Sequence, residues 1–145
     1  MEIYTIGFTK KSAEEFFGGL QRAGVKRLVD VRLRNSSQLA GFAKRDDLAY
    51  FLGEICGAEY HHEPLLAPSE ELFAFRRKQR GSWAEYERRY RALLADRGVE
   101  ERLDPDLFAT PAVLLCTEPT ADECHRRLAL EYLRDRWGGI DIVHL

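Results

Sequence analysis

The sequence predicts an α/β fold, a single domain built on a mostly parallel sheet of about five strands covered by helices. Three observations carry this expectation. Short β-prone or apolar runs alternate with longer amphipathic segments along the whole chain. Ser/Thr-x-x-Glu signatures, in which hydroxyl and carboxylate each satisfy an end N–H, open three of the helical periods. Glycines stand where those periods stop.

In chain order, Ile3 to Ile6 reads as the first strand, ending at Gly7. Ser12-Ala13-Glu14-Glu15 opens a helix whose apolar stripe is Phe16, Phe17 and Leu20, and Gly24 stops it. Arg27 to Val31 is the second strand, with Leu28 and Asp30 on one face and Val29 and Val31 on the other. A polar loop follows from Leu33 to Arg45, then a helix capped by Asp46 or Asp47 runs through Ile55 to Gly57. Ala58 to His62 is the third strand, closed by Pro64. Glu70 to Gln79 reads as helical, broken by Gly81, and Ser82-Trp83-Ala84-Glu85 opens another helix that Gly98 ends. The fourth strand is Ala112 to Leu115, after Pro111. Thr120-Ala121-Asp122-Glu123 opens a helix over Ala121 to Arg136, which stops at Gly138-Gly139 before the fifth strand, Ile140 to Val143.

Composition narrows the function classes. The 145 residues are 45% hydrophobic and 32% charged, enough for one core and too apolar for disorder. A formal net charge of −2 gives no global attraction to nucleic acid or anionic lipid. No apolar run reaches the roughly 20 residues that span a bilayer, and Met1 to Thr5 lacks the basic and apolar regions of a signal peptide. Three cysteines are an odd number without a disulfide framework, so free thiols in a reducing, cytoplasmic setting are expected.

Parallel strands bring the residues at their ends to one edge of the sheet. Here these are Thr5, Gly7 and Thr9; Asp30, Arg32 and Arg34; His62; and Cys116 and Glu118, joined by Cys124, His125 and Arg126 entering the last helix. Most of them ionise, which marks this edge as the candidate site. Cys116, Glu118, His125 and Asp30 are the catalytic candidates, and Thr5, Gly7, Arg32, Arg34, His62 and Arg126 the candidates for holding substrate.

Cys116 is a nucleophile if the following helix N-terminus and nearby arginines favour its thiolate, or else a small apolar packing residue. No arginine stands six positions beyond it, where Asp122 lies, so a phosphatase loop is absent, and there is no C-x-x-C redox pair. Cys116, Cys124 and His125, with His62, suit zinc by ligand type but not by spacing. Cys124 fits equally well in the apolar stripe of the helix. At a helix start His125 is favoured as neutral imidazole, able to pair with Glu118 for proton transfer; buried packing is its other reading. Arg32, Arg34 and Arg126 form an anion rim if they converge, or pair with Asp30 and Glu118.

A second surface runs from residue 76 to 91, with seven basic residues against two acidic ones, interleaved with Trp83, Tyr86 and Tyr90. Arg76, Arg77, Arg88, Arg89 and Arg91 suit a nucleic-acid strand, or a solvated helix face.

Tyr4-Thr5-Ile6-Gly7, Val29-Asp30-Val31-Arg32, the Tyr60 to Pro64 segment with His62, and Leu115-Cys116-Thr117-Glu118 followed by Cys124-His125-Arg126 together resemble the DUF488 family of uncharacterised prokaryotic proteins. The resemblance runs in order over essentially the whole chain. It implies one α/β domain and the same polar residues as a shared site, without an activity or a cofactor. Many members carry histidine where this chain has Phe8, and Leu-Gly-Gly where it has Leu65-Leu66-Ala67. The functional expectation is a small enzyme acting on an anionic substrate of nucleotide or nucleic-acid type. The alternative is a non-catalytic nucleic-acid-binding or regulatory module using residues 76–91.

Overall fold

Five strands, Glu2–Gly7 (β1), Arg27–Asp30 (β2), Glu59–His62 (β3), Ala112–Cys116 (β4) and Asp141–His144 (β5), pair in parallel in the spatial order β3-β2-β4-β1-β5. The computed structural model describes residues 1–118 and 121–145, and of Gln38 only the backbone. The fold is the expected single α/β domain with a parallel sheet.

Among the described residues, six α-helices cover the sheet: Ala13–Ala23 (α1), Arg45–Phe51 (α2), Glu70–Arg77 (α3), Trp83–Arg97 (α4), Val99–Arg102 (α5) and His125–Trp137 (α6). Two apolar cores lie on opposite faces of the sheet. Leu28, Val113 and Leu115 point to the face covered by α1 and α2, where Phe16, Phe17, Leu20 and Leu48 are buried. Val29, Ala112, Leu114 and Cys116 point to the other face, against Tyr86, Tyr90 and Leu94 of α4 and Leu128 and Ala129 of α6. All five residues of β4 are therefore buried, which is why that strand reads as an unbroken apolar run rather than an alternation.

The helix boundaries show which local signals held. The α1 capping box is complete, with Ser12 accepting from the Glu15 N–H and Glu15 from the Ser12 N–H, and Gly24 closes the helix at φ 70°. At α4 only half of the box forms. Ser82 accepts from the Glu85 N–H, but the Glu85 carboxylate is taken by Arg88 and Arg89. Asp46 and Asp47 do not cap α2; they lie in its first turn after Lys44, and a π turn, Leu52–Cys56, carries the chain to Gly57. The expected helix Glu70 to Gln79 ends at Arg77.

The last helix is the main correction. It begins at His125, not at Ala121, with Cys124 as its N-cap residue and no side-chain capping bond. Thr120 of the expected capping box lies outside the described residues. The later start places Cys124 and His125 at the mouth of the helix, beside the end of β4.

The order of connections fixes where a ligand can enter. The chain leaves β2 toward β3 through α2 on one face, and leaves β4 toward β5 through α6 on the other. The connections that follow the neighbours β2 and β4 thus part toward opposite faces, which marks the crevice where α/β sheets bind ligands. Among the described residues, no helix is long and apolar enough to cross a membrane.

Candidate functional site

A cleft of about 340 Å³ opens at this divergence. Its floor is Cys116 at the end of β4 with Cys124 and His125 at the start of α6, and Arg32 and Arg34 enter from the loop after β2. The opposite wall is Phe73, Arg76 and Arg77 of α3 with Trp83 and Tyr86 of α4. The sequence treated residues 76–91 as a separate surface. Folding brings part of it against the strand ends.

The floor is a tight group. Cys116 and Cys124 Sγ and a ring nitrogen of His125 all lie within 4.8 Å of one another, and all three residues are buried. Cys116 Sγ is 3.4 Å from His125 Nδ1. His125 Nε2 lies 2.7 Å from the Val31 carbonyl oxygen. A carbonyl only accepts, so Nε2 carries the proton and a neutral ring keeps its lone pair on Nδ1, toward the sulfur. The Tyr90 ring packs against the imidazole, with ring centres 5.5 Å apart.

The two thiols are driven apart in acidity. Burial pushes Cys116 well up, and the hydrogen bond and charge of Cys124 push the same way. Burial acts against ionising Cys124 too, but the hydrogen bond from Cys116 and the charge of Arg126 draw this thiol down, and a protonated His125 draws it down further. Of the two, Cys124 is the more acidic thiol. From the sequence Cys116 is the nucleophile candidate, while Cys124 is read as a zinc ligand or a packing residue.

The wall is a set of guanidinium groups laid on rings. Arg34 and Arg77 both lie over Phe73, at 5.2 and 5.8 Å, and Arg76 lies 5.5 Å over Trp83. Each also holds a carboxylate: Arg34 with Glu70 at 2.7 Å, Arg76 with Glu123 at 2.7 Å and Arg77 with Glu118 at 2.9 Å. These pairs are partly or well exposed, so an incoming anion competes with them at small cost. Trp83 stacks on Tyr86 with centres 5.2 Å apart.

Several other candidates are occupied elsewhere. Asp30 is fully buried and gives both oxygens to Arg32, at 2.8 and 2.9 Å, while Tyr60 donates to it at 2.5 Å. Burial, with that hydrogen bond, drives the Tyr60 phenol strongly upward. Arg32 itself is 3% exposed, lines the cleft and lies over the ring of Phe8, 5.4 Å from its centre. Among the described residues no hydrogen bond joins Glu118 to His125; the Glu118 side chain goes to Arg77. Arg126 is buried away from the rim and donates to the Glu118 backbone oxygen at 2.6 Å. Gly7 sits under that same oxygen, and Thr9 donates to the Thr117 oxygen at 2.7 Å, so both hold the loop after β4. Thr5 is hydrogen-bonded to His144 Nδ1 at 2.6 Å, and His62 Nε2 lies 3.2 Å from the Arg32 oxygen. His62 is not part of the thiol group.

The basic segment divides. Arg76 and Arg77 face the cleft; Arg88 and Arg89 pair with Glu85, and Arg91 pairs with Glu131. Phe73 was not singled out from the sequence, because nothing local says that α3 packs across the end of β2.

Comparison with curated proteins and with solved structures returned no match. One family model does match, over residues 12–133 of the 145. Its description is "Domain of unknown function DUF488", and it covers the buried pair, the thiol group and the arginine wall alike, so the chain belongs to the DUF488 family.

Proposed function

We propose that this chain is a small enzyme acting on an anionic, phosphate-bearing substrate of nucleotide type, held in the cleft between β2, β4 and α3. One observation carries the reading. The same cleft has Cys116, Cys124 and His125 on its floor and Arg34, Arg76 and Arg77 on its wall. Rings on one side fix the guanidinium planes, and exposed carboxylates stand in for the anion until it arrives. An anion that takes Arg77 releases Glu118, leaving a carboxylate in the cleft to move a proton close to the thiol group.

Tryptophan fluorescence during titration with pyrophosphate, AMP or a short single-stranded oligonucleotide tests this reading. Saturable binding that weakens with salt and falls at least about tenfold in Arg77→Ala supports it. Absence of binding to all three at low salt overturns it. Nucleic-acid binding by the whole 76–91 segment draws less support, because Arg88, Arg89 and Arg91 spend their charge on neighbouring carboxylates away from the cleft.

A further inference from the structure

We propose that Cys116, Cys124 and His125 form a mononuclear site for a thiophilic divalent cation such as zinc, with its fourth position open to the cleft. The inference sharpens the reading of the cleft as a working site. Its evidence is the arrangement of the three side chains.

Two sulfurs and one imidazole nitrogen within 4.8 Å of one another are a Cys₂His set, close enough to converge on a single ion. For tetrahedral bonds of about 2.3 Å to sulfur and 2.0 Å to nitrogen, sulfur and nitrogen stand about 3.5 Å apart and the two sulfurs about 3.8 Å. Cys116 Sγ and His125 Nδ1 are 3.4 Å apart. The imidazole is already in the tautomer a metal needs. Donation of Nε2–H to the Val31 oxygen orients the ring and leaves Nδ1 as the ligand, an outer contact that metal-binding histidines usually have.

The scaffold is rigid where it has to be. Cys116 ends the central strand β4, and Cys124 and His125 sit where α6 starts, so sheet and helix fix the three donors from two sides. Two thiolates balance the charge of a divalent ion, which makes the ion tolerable in a buried place. All three residues line the cleft, so the remaining tetrahedral position faces the space that the arginine wall encloses. That is the layout of a metal centre with room for water or a substrate oxygen, unlike a closed four-ligand structural site. Spacing rules miss it because one ligand comes from a strand end and two from a helix start, brought together by the tertiary fold.

The test uses the full, reduced chain with one equivalent of zinc, followed by cobalt(II) as a spectroscopic probe. Bound zinc should reach one ion per chain. Cobalt should give tetrahedral d–d bands with a thiolate charge-transfer band. Cys116→Ser, Cys124→Ser and His125→Ala should each weaken zinc by about 10–100-fold or more, while Cys56→Ser binds as the wild type does. Should a ligand variant fail to fold, the wild-type cobalt spectrum still decides. Octahedral cobalt without a charge-transfer band, zinc well below one per chain, or wild-type zinc affinity in Cys116→Ser and Cys124→Ser overturns the proposal. Pyrophosphate binding reads the arginine wall and zinc stoichiometry reads the three donors, so the two proposals fail separately.

Discussion

Arg32 folds back on Asp30, two residues before it, and grips both carboxylate oxygens, while its own backbone N–H donates to the same group at 3.1 Å. The pair is a buried fork at the end of β2, with 3% and 0% of the side chains exposed. Its role is to shape the loop that delivers Arg34 to the cleft. Arg32→Met leaves the carboxylate without its partner and should cost about 3–5 kcal/mol in urea denaturation. A loss below about 1 kcal/mol would show that the fork is not held in solution.

Gly7 predicts a second sensitivity. A Cβ there would stand 1.5 Å from the Glu118 oxygen and 2.9 Å from Arg126 Nη1. The obstacle is backbone, so Gly7→Ala must push the loop after β4 away. We expect about 1–3 kcal/mol of destabilisation together with weaker pyrophosphate binding. Unchanged stability and binding would mean that the loop does not rest on β1.

His144 couples the sheet edge to pH. Burial, reinforced by the charges of Arg126 and Arg127, holds its imidazole below the ordinary value of 6.5. The unfolded chain therefore takes up the proton first as pH falls. The stability this residue contributes is complete above pH 6.5 and is lost as pH drops toward the folded value. Melting temperatures measured across that window should fall less steeply in His144→Asn than in the wild type. Parallel curves would rule the linkage out.

Arg88 is the control for the arginine wall. Hydrogen bonds from Arg88 and then Arg89 hold the Glu85 carboxyl at about 2, yet the group is exposed and faces away from the cleft. Arg88→Ala should leave both the denaturation midpoint and pyrophosphate affinity unchanged, in contrast to Arg77→Ala. Equal losses in the two variants would move the anion site onto α4.

Much of this was legible in local chemistry. Ser12 and Glu15 announce α1 because a capping box needs only four residues, and the apolar run of β4 announces a strand enclosed on both faces. Phe8, just beyond the end of β1, serves as the ring beneath Arg32. The start of α6 is not legible locally, since the signature at residues 120–123 points to an earlier start and the helix begins where Cys124 and His125 meet β4.

The sequence by itself determined the fold class and the edge of the sheet where the polar residues gather, because periodicity, caps and strand direction are short-range properties. Tertiary structure decided which of those residues work together. The order β3-β2-β4-β1-β5 sets β2 beside β4, and packing brings Phe73, Arg76 and Arg77 of α3 to the cleft at their ends. Asp30 and Arg126 are thereby committed to holding the scaffold, and Cys124 and Arg77 to the cleft. Contacts between residues 41 or 94 positions apart, such as Arg77 with Glu118 and Val31 with His125, depend on packing that no local pattern encodes.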